Sequence, residues 1–233
     1  MKIGVFTYNF KHHKTQMGLF NLFMSNFKPT VAFAANPVEL NFYKSKIRTG
    51  PKDLYLQHPK DICNKLGVDY HVTVHNSNET QNLIKDYDLD VGIVLGARIL
   101  KSNVINAFKL GVINMHPGLL PENRGLDNLK WAILKKIPQG VTSHFIDSKI
   151  DKGNKILREQ INIYKDDSLV DLQLRIQNLE QDLMIKSLEK IKNENNVQSY
   201  EKLGDGNYYK SVPPEQEKNL LREFDKYKTI FGV

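Results

Sequence analysis

Five short apolar runs occupy the first half of the chain: Lys2–Tyr8, Thr30–Ala35, Asp69–Val74, Val91–Leu95 and Gly111–Met115. Between them, Gln16–Ser25, Lys60–Leu66, Glu79–Tyr87 and Asn103–Phe108 carry apolar residues at roughly helical spacing, with Ser102 placed to cap the last. β-Branched runs that alternate with helices are the mark of βαβ units, because a parallel strand can follow its neighbour only through a crossover. The pattern predicts an open α/β sheet, and 233 residues fit one such domain with a C-terminal extension.

Composition narrows the class. With 40% hydrophobic and 25% charged residues the chain has the balance of a folded globular protein. Met1 runs directly into Lys2–Phe6, too short for a signal sequence, and no apolar run approaches the roughly 18 residues that span a bilayer, so a cytoplasmic protein without a membrane partner is expected. One cysteine, Cys63, can form neither an internal disulfide nor a CxxC metal knuckle, and a buried spectator role is expected for it. The net charge of +7 is spread along the chain instead of being gathered into a basic arm, which favours solubility or anionic small molecules over nucleic acid.

In an open α/β sheet ligands bind outside the carboxyl ends of the strands, where loops and helix N-termini converge. The segment after Met115 is therefore the place to look. It reads His116-Pro117-Gly118-Leu119-Leu120-Pro121-Glu122-Asn123-Arg124-Gly125, a turn-rich loop, followed by a helical pattern over Leu126–Lys136. Downstream come a strand at Val141–Ile146, a turn at Asp147–Gly153 and a strand at Lys155–Tyr164. The amphipathic stretch Leu169–Lys192 sets Leu172, Ile176, Leu179, Leu183 and Leu188 near one face, to support the core or a homodimer contact. A polar stretch, Asn193–Gln198, then leads into a tail with Tyr208-Tyr209 and Val212-Pro213-Pro214.

Asn114 and His116 stand two apart at a strand end, so they address the same side of the sheet. An amide donor beside an imidazole suits acyl transfer: Asn donates to the oxygen that turns negative, and His donates or moves a proton. Asp151 completes the set, in a turn bounded by Gly153 that is expected to return to the same end of the sheet. Taken singly, an Asn-x-His also describes an incidental or core histidine, and an Asp-x-Gly an ordinary turn.

Together with Arg124-Gly125, Trp131-Ala132, Gly140-Val141-Thr142-Ser143-His144 and Ile150-Asp151-Lys152-Gly153, the Asn114–Pro121 segment resembles the formyltransferases that use 10-formyltetrahydrofolate, over about Val91 to Leu157. The resemblance implies a Rossmann-like catalytic domain over residues 1–165, a C-terminal helix and tail over 166–233, and Asn114, His116 and Asp151 as the catalytic triad without a metal. It also implies a folate site built from Ala97, Arg98, Ile99 and Leu100 on one side and from Asp147 and Ile150 on the other. His144 is expected behind the triad or in the core.

Among the family, the chain is most similar to the nucleotide-sugar N-formyltransferases, which act on amino sugars such as dTDP-linked ones in surface polysaccharide (O-antigen) synthesis. The tRNA enzymes carry a further barrel domain, whereas about 80 residues follow Asp151 here. Glycinamide ribonucleotide formyltransferases open with a glycine-rich phosphate loop where this chain has Tyr8–Gln16. For a nucleotide sugar, Lys14 and Arg124 are candidates for the diphosphate and Tyr208 and Tyr209 for the base. Asp127 is set either to bind a sugar hydroxyl or amine or to cap the Trp131 helix. Glycinamide ribonucleotide formylation, formyltetrahydrofolate hydrolysis and a basic nucleotide-binding module remain as alternatives.

Overall fold

The computed structural model describes residues 1–39, 43, 45–147, 153–194 and 200–233. Seven strands form one sheet: β1 (Ile3–Tyr8), β2 (Val31–Ala35), β3 (Asp69–Val72), β4 (Val91–Val94), β5 (Gly111–His116), β7 (Gly140–Phe145) and β8 (Lys155–Gln160). Their order is β3-β2-β1-β4-β5-β7-β8. The first five are mutually parallel and the last two antiparallel. The expected open, mostly parallel α/β architecture is thus observed. Only nine residues separate β7 from β8, fewer than the dozen or so that a parallel crossover needs, so these two strands pair antiparallel.

The helices α1 (His13–Met24), α2 (Pro59–Leu66), α3 (Asn78–Asp86), α4 (Ser102–Ile105), α5 (Asn128–Lys135) and α6 (Leu169–Asn193) connect and cover the strands. Two apolar layers result. Ile3, Val5, Ile93, Ile113 and Met115 point to the face covered by α1 and α6, against Leu19, Leu22, Leu172, Ile176 and Leu183. Phe6, Phe33 and Val112 point the other way, against Ile84 of α3 and Val104 of α4. Strand alternation sends neighbouring residues to opposite layers.

Local signals account for several boundaries. Pro59 opens α2 and Gly67 ends it in the left-handed region, while Ser168 and Asp171 form a reciprocal cap at the start of α6. Ser102 does not cap α4: Lys101 occupies that position and no side chain caps the helix.

The tail is more ordered than its composition suggests. A two-residue strand β9 (Tyr208–Tyr209) pairs with β6 (Arg124–Gly125), and two helices follow, α7 (Pro214–Glu217) and α8 (Leu220–Phe231). Leu220, Phe224 and Tyr227 bury one stripe of α8. No helix among the described residues is long and apolar enough to cross a membrane.

Candidate active site

Asn114 and His116 lie at the carboxyl end of β5, where the parallel half of the sheet meets its antiparallel edge. The register places Asn114 between Val94 of β4 and His144 of β7, and His116 opposite Thr142. Cross-strand partners share a face, so Asn114, His116, Thr142 and His144 form one polar cluster on the side of the sheet that carries Val112. His116 is 3% exposed and His144 fully buried, with ring centroids 6.5 Å apart at 75°.

The loop after β5 folds back over His116. The imidazole Nε2 lies 2.8 Å from the main-chain carbonyl of Asn123, and the Asn128 amide donates to that same carbonyl at 2.9 Å. Asn123 returns a bond from its own amide to the Asn128 carbonyl, and Gln139 Nε2 holds Pro117 O at 2.8 Å. Thr142 Oγ1 donates to Gly118 O and accepts from Leu120 N, at 2.9 and 3.0 Å. A Cβ on Gly118 would stand 2.7 Å from Asn123 O and 3.1 Å from His116 Nε2, so the loop can close this tightly only over glycine.

Asp151 and Ile150 lie outside the described residues. Asp147 follows β7 and is half-buried. After β4, Leu100 packs into the core while Ile99 is 65% exposed, so these two neighbours divide between core and surface. Ala97 O accepts from Tyr8 OH at 3.0 Å, and Asn76 fixes the segment by bonding Ile99 O and Lys101 N. Arg98 borders a cavity of about 630 Å³ at the carboxyl ends of β1, β2 and β3, together with Tyr8, Phe10, Val38, Val74 and His75. Tyr8 and Phe10 stack at 4.9 Å, and burial raises the Tyr8 phenol against the opposing charge of Arg98.

The sugar-side candidates fall into two places. Lys14 bonds Glu180 Oε1 at 2.6 Å and Met115 O at 3.0 Å, inside a second cavity of about 510 Å³ between α1 and α6. Beside it, burial followed by the charges of Lys14 and His13 lowers His12 to about 4. Arg124, Tyr208 and Tyr209 come together through the β6–β9 pairing. The Arg124 guanidinium lies 6.0 Å from the Tyr208 ring centre, and Trp131 stacks on Tyr209 at 4.9 Å. Asp127 begins α5 without capping it, and its carboxylate accepts from Val212 N at 2.9 Å.

The family model for formyl transferase matches residues 31–188, about two thirds of the sequence. This chain belongs to the formyl transferase family. Among its relatives, the methionyl-tRNA formyltransferase of Flavobacterium psychrophilum is 36% identical over 115 residues, covering 49% of this chain and 36% of that protein. The chain thus spans about a third of that relative's length. Among solved structures, a sugar N-formyltransferase from Shewanella sp. superposes with a TM-score of 0.62 at 21% identity, over 96% of this chain and 88% of that one. The Helicobacter canadensis N-formyltransferase, solved with folinic acid and dTDP-3-aminofucose, gives 0.63 at 20% identity, over 96% and 80%. These structures share the fold.

Several residues that shape this candidate site are not singled out by the sequence. Asn123, Asn128, Gln139 and Thr142 are all buried and all bear on the His116 loop. Asn123, Asn128 and Gln139 sit in turn-rich sequence that gives no signal, but Thr142 carries a weak one, a polar residue inside a buried strand, which a core admits only when it is hydrogen-bonded. Glu180, in the buried stripe of α6, belongs to the same class. Among the described residues, no group of three or more His, Cys, Asp or Glu is placed to hold a metal ion.

Proposed function

We propose that this chain transfers a formyl group from 10-formyltetrahydrofolate to the amine of a nucleotide-linked amino sugar. The observation that carries the reading is the pairing of Asn114 with His116 on one face of β5, at the carboxyl edge of the sheet, in a chain of the formyl transferase family. Asn114 donates to the formyl oxygen as the amine adds to the carbon and the carbonyl electron pair moves onto oxygen. His116 supports that charge as the imidazolium, and Asp151 holds the imidazolium and assists, through water, in taking the proton from the attacking amine. Collapse of the adduct breaks the bond to the folate nitrogen, which leaves protonated as tetrahydrofolate.

The folate site proposed here comprises Ala97, Arg98, Ile99 and Leu100 with Asp147 and Ile150. Exposed Ile99 offers an apolar face, main-chain groups of the segment are held in place by Asn76 and Tyr8, and Arg98 supplies a cation. For the acceptor, the gathered Arg124, Tyr208 and Tyr209 offer a guanidinium for phosphate and aromatic faces for a base, with Asp127 in the same turn. The fold that this chain shares with sugar N-formyltransferases over nearly its whole length, tail included, accommodates a sugar acceptor. The nucleotide is read as dTDP and the pathway as O-antigen synthesis.

Incubation with 10-formyltetrahydrofolate and a panel of dTDP-, UDP- and GDP-linked amino sugars tests the acceptor. Release of tetrahydrofolate that requires one of these sugars is expected. Release only with glycinamide ribonucleotide, or equally without any amine, overturns the assignment.

A further inference from the structure

His116 Nε2 faces two groups at once, the Asn123 carbonyl at 2.8 Å and the Asn128 amide nitrogen at 3.1 Å. A carbonyl oxygen has no proton to give, so the short contact requires that Nε2 carry a hydrogen and donate it. Asn128 Nδ2 points its own hydrogen at the same oxygen, 2.9 Å away. Asn123 O therefore uses both of its lone pairs, one for each donor, and the two nitrogens lie close because they share an acceptor. Flipping the Asn128 amide would set its oxygen against the Asn123 carbonyl at that distance, a repulsion between two acceptors. The arrangement thus fixes the Asn128 orientation as well as the imidazole hydrogen.

The carbonyl is itself immobilised. Asn123 is fully buried, its amide bonds Asn128 O at 2.9 Å and approaches Gln139 Oε1 at 3.4 Å, and its main-chain nitrogen bonds Leu119 O. Asn123 and Asn128 hold each other reciprocally, so removing either amide loosens the acceptor that His116 needs.

From this we infer that Asn128 is a positioning residue that fixes His116 as its Nε2–H tautomer, making Nδ1 the ring nitrogen that gains and loses the proton during formyl transfer. The second half of the statement rests on the reading of His116 as catalytic. Nε2 stays on the Asn123 carbonyl in both the neutral ring and the imidazolium, so a proton enters and leaves without reorienting the ring.

The test uses the whole chain labelled with ¹⁵N-histidine, with His116→Gln identifying the signal. Long-range ¹H–¹⁵N spectra at neutral pH should show His116 with a protonated Nε2. Asn128→Ala should turn this into a mixture of tautomers and lower kcat by about 10- to 100-fold, less than the full acid–base contribution of about 10²- to 10⁴-fold, with KM for donor and acceptor changed by less than about threefold. A wild-type signal with Nδ1 protonated overturns the inference even if the variant fails to fold. So does an Asn128→Ala protein whose tautomer and kcat are unchanged. Undiminished turnover by His116→Gln would instead remove the catalytic reading and leave the tautomer assignment standing.

Discussion

Replacing Lys130 by Met removes one of the contacts that tie the C-terminal helices to the rest of the molecule. Glu217 in α7 is buried, and its carboxylate accepts from Lys130 Nζ at 2.8 Å, Tyr43 OH at 3.0 Å, Lys46 N at 3.1 Å and Ser45 Oγ. The Lys130 and Glu217 side chains are 9% and 4% exposed. Burial alone would raise the Glu217 carboxyl, but the bonds from Lys130, Ser45, Lys46 and Tyr43 outweigh it and hold the group at about 2. Taking away the ammonium leaves a buried carboxylate with neutral donors only. Breaking a buried pair in this way costs about 3–5 kcal/mol, and at 2–4 °C per kcal/mol the melting temperature should drop by roughly 6–20 °C. Thermal melts at pH 7 measure it. The sign of the pH effect follows from the depressed carboxyl: its contribution is fully present above about 4.5 and is lost as pH falls toward about 2. The gap between wild type and Glu217→Gln should accordingly narrow below about pH 4.5. A drop below about 3 °C for Lys130→Met, against the burial argument, or a gap that widens in acid, refutes the reasoning.

Two further perturbations probe the α1 side of the sheet. Lys14→Met strands Glu180, so a loss of about 3 kcal/mol or more is expected by denaturant titration, and the double variant Lys14→Met, Glu180→Met should recover most of it. His12 is held neutral down to about 4, so the unfolded chain binds a proton that the native state refuses, and stability should fall as pH drops from about 6.5 toward 4. His12→Gln should flatten that part of the stability profile, and an unchanged slope counts against the assignment.

The parallel strands β1, β2, β4 and β5 are legible because they are largely buried on both faces and read as near-continuous apolar runs, whereas the edge strand β3 is part-exposed. Strand ends are less so: β3 stops at Val72 and leaves Val74 exposed at the rim of a cavity, which apolarity alone does not announce. The α8 stripe of Leu220, Phe224 and Tyr227 has helical spacing, but the surrounding Pro-Pro, Lys and Glu residues mask it as a tail. At the site, the period of two put Asn114 and His116 on one face, and the register agrees. The clamp from Asn128 lies beyond such reasoning, because it depends on a loop folding back through twelve residues. Asp127 and Ser102 illustrate the converse: both have good capping chemistry at a helix start, yet Asp127 bonds the tail at Val212 N and Ser102 lies one residue inside α4.

Mass spectrometry of the acceptor after incubation with ¹³C-formyl-labelled 10-formyltetrahydrofolate tests formyl transfer most directly. Wild type should place one labelled formyl group on the amine of a nucleotide-linked amino sugar, and Asn114→Ala and His116→Gln should each slow this by about 10²- to 10³-fold while remaining folded at the assay temperature. Wild-type protein that leaves every nucleotide-linked amino sugar unlabelled, or variants of Asn114 and His116 that label it at the wild-type rate, would contradict the account.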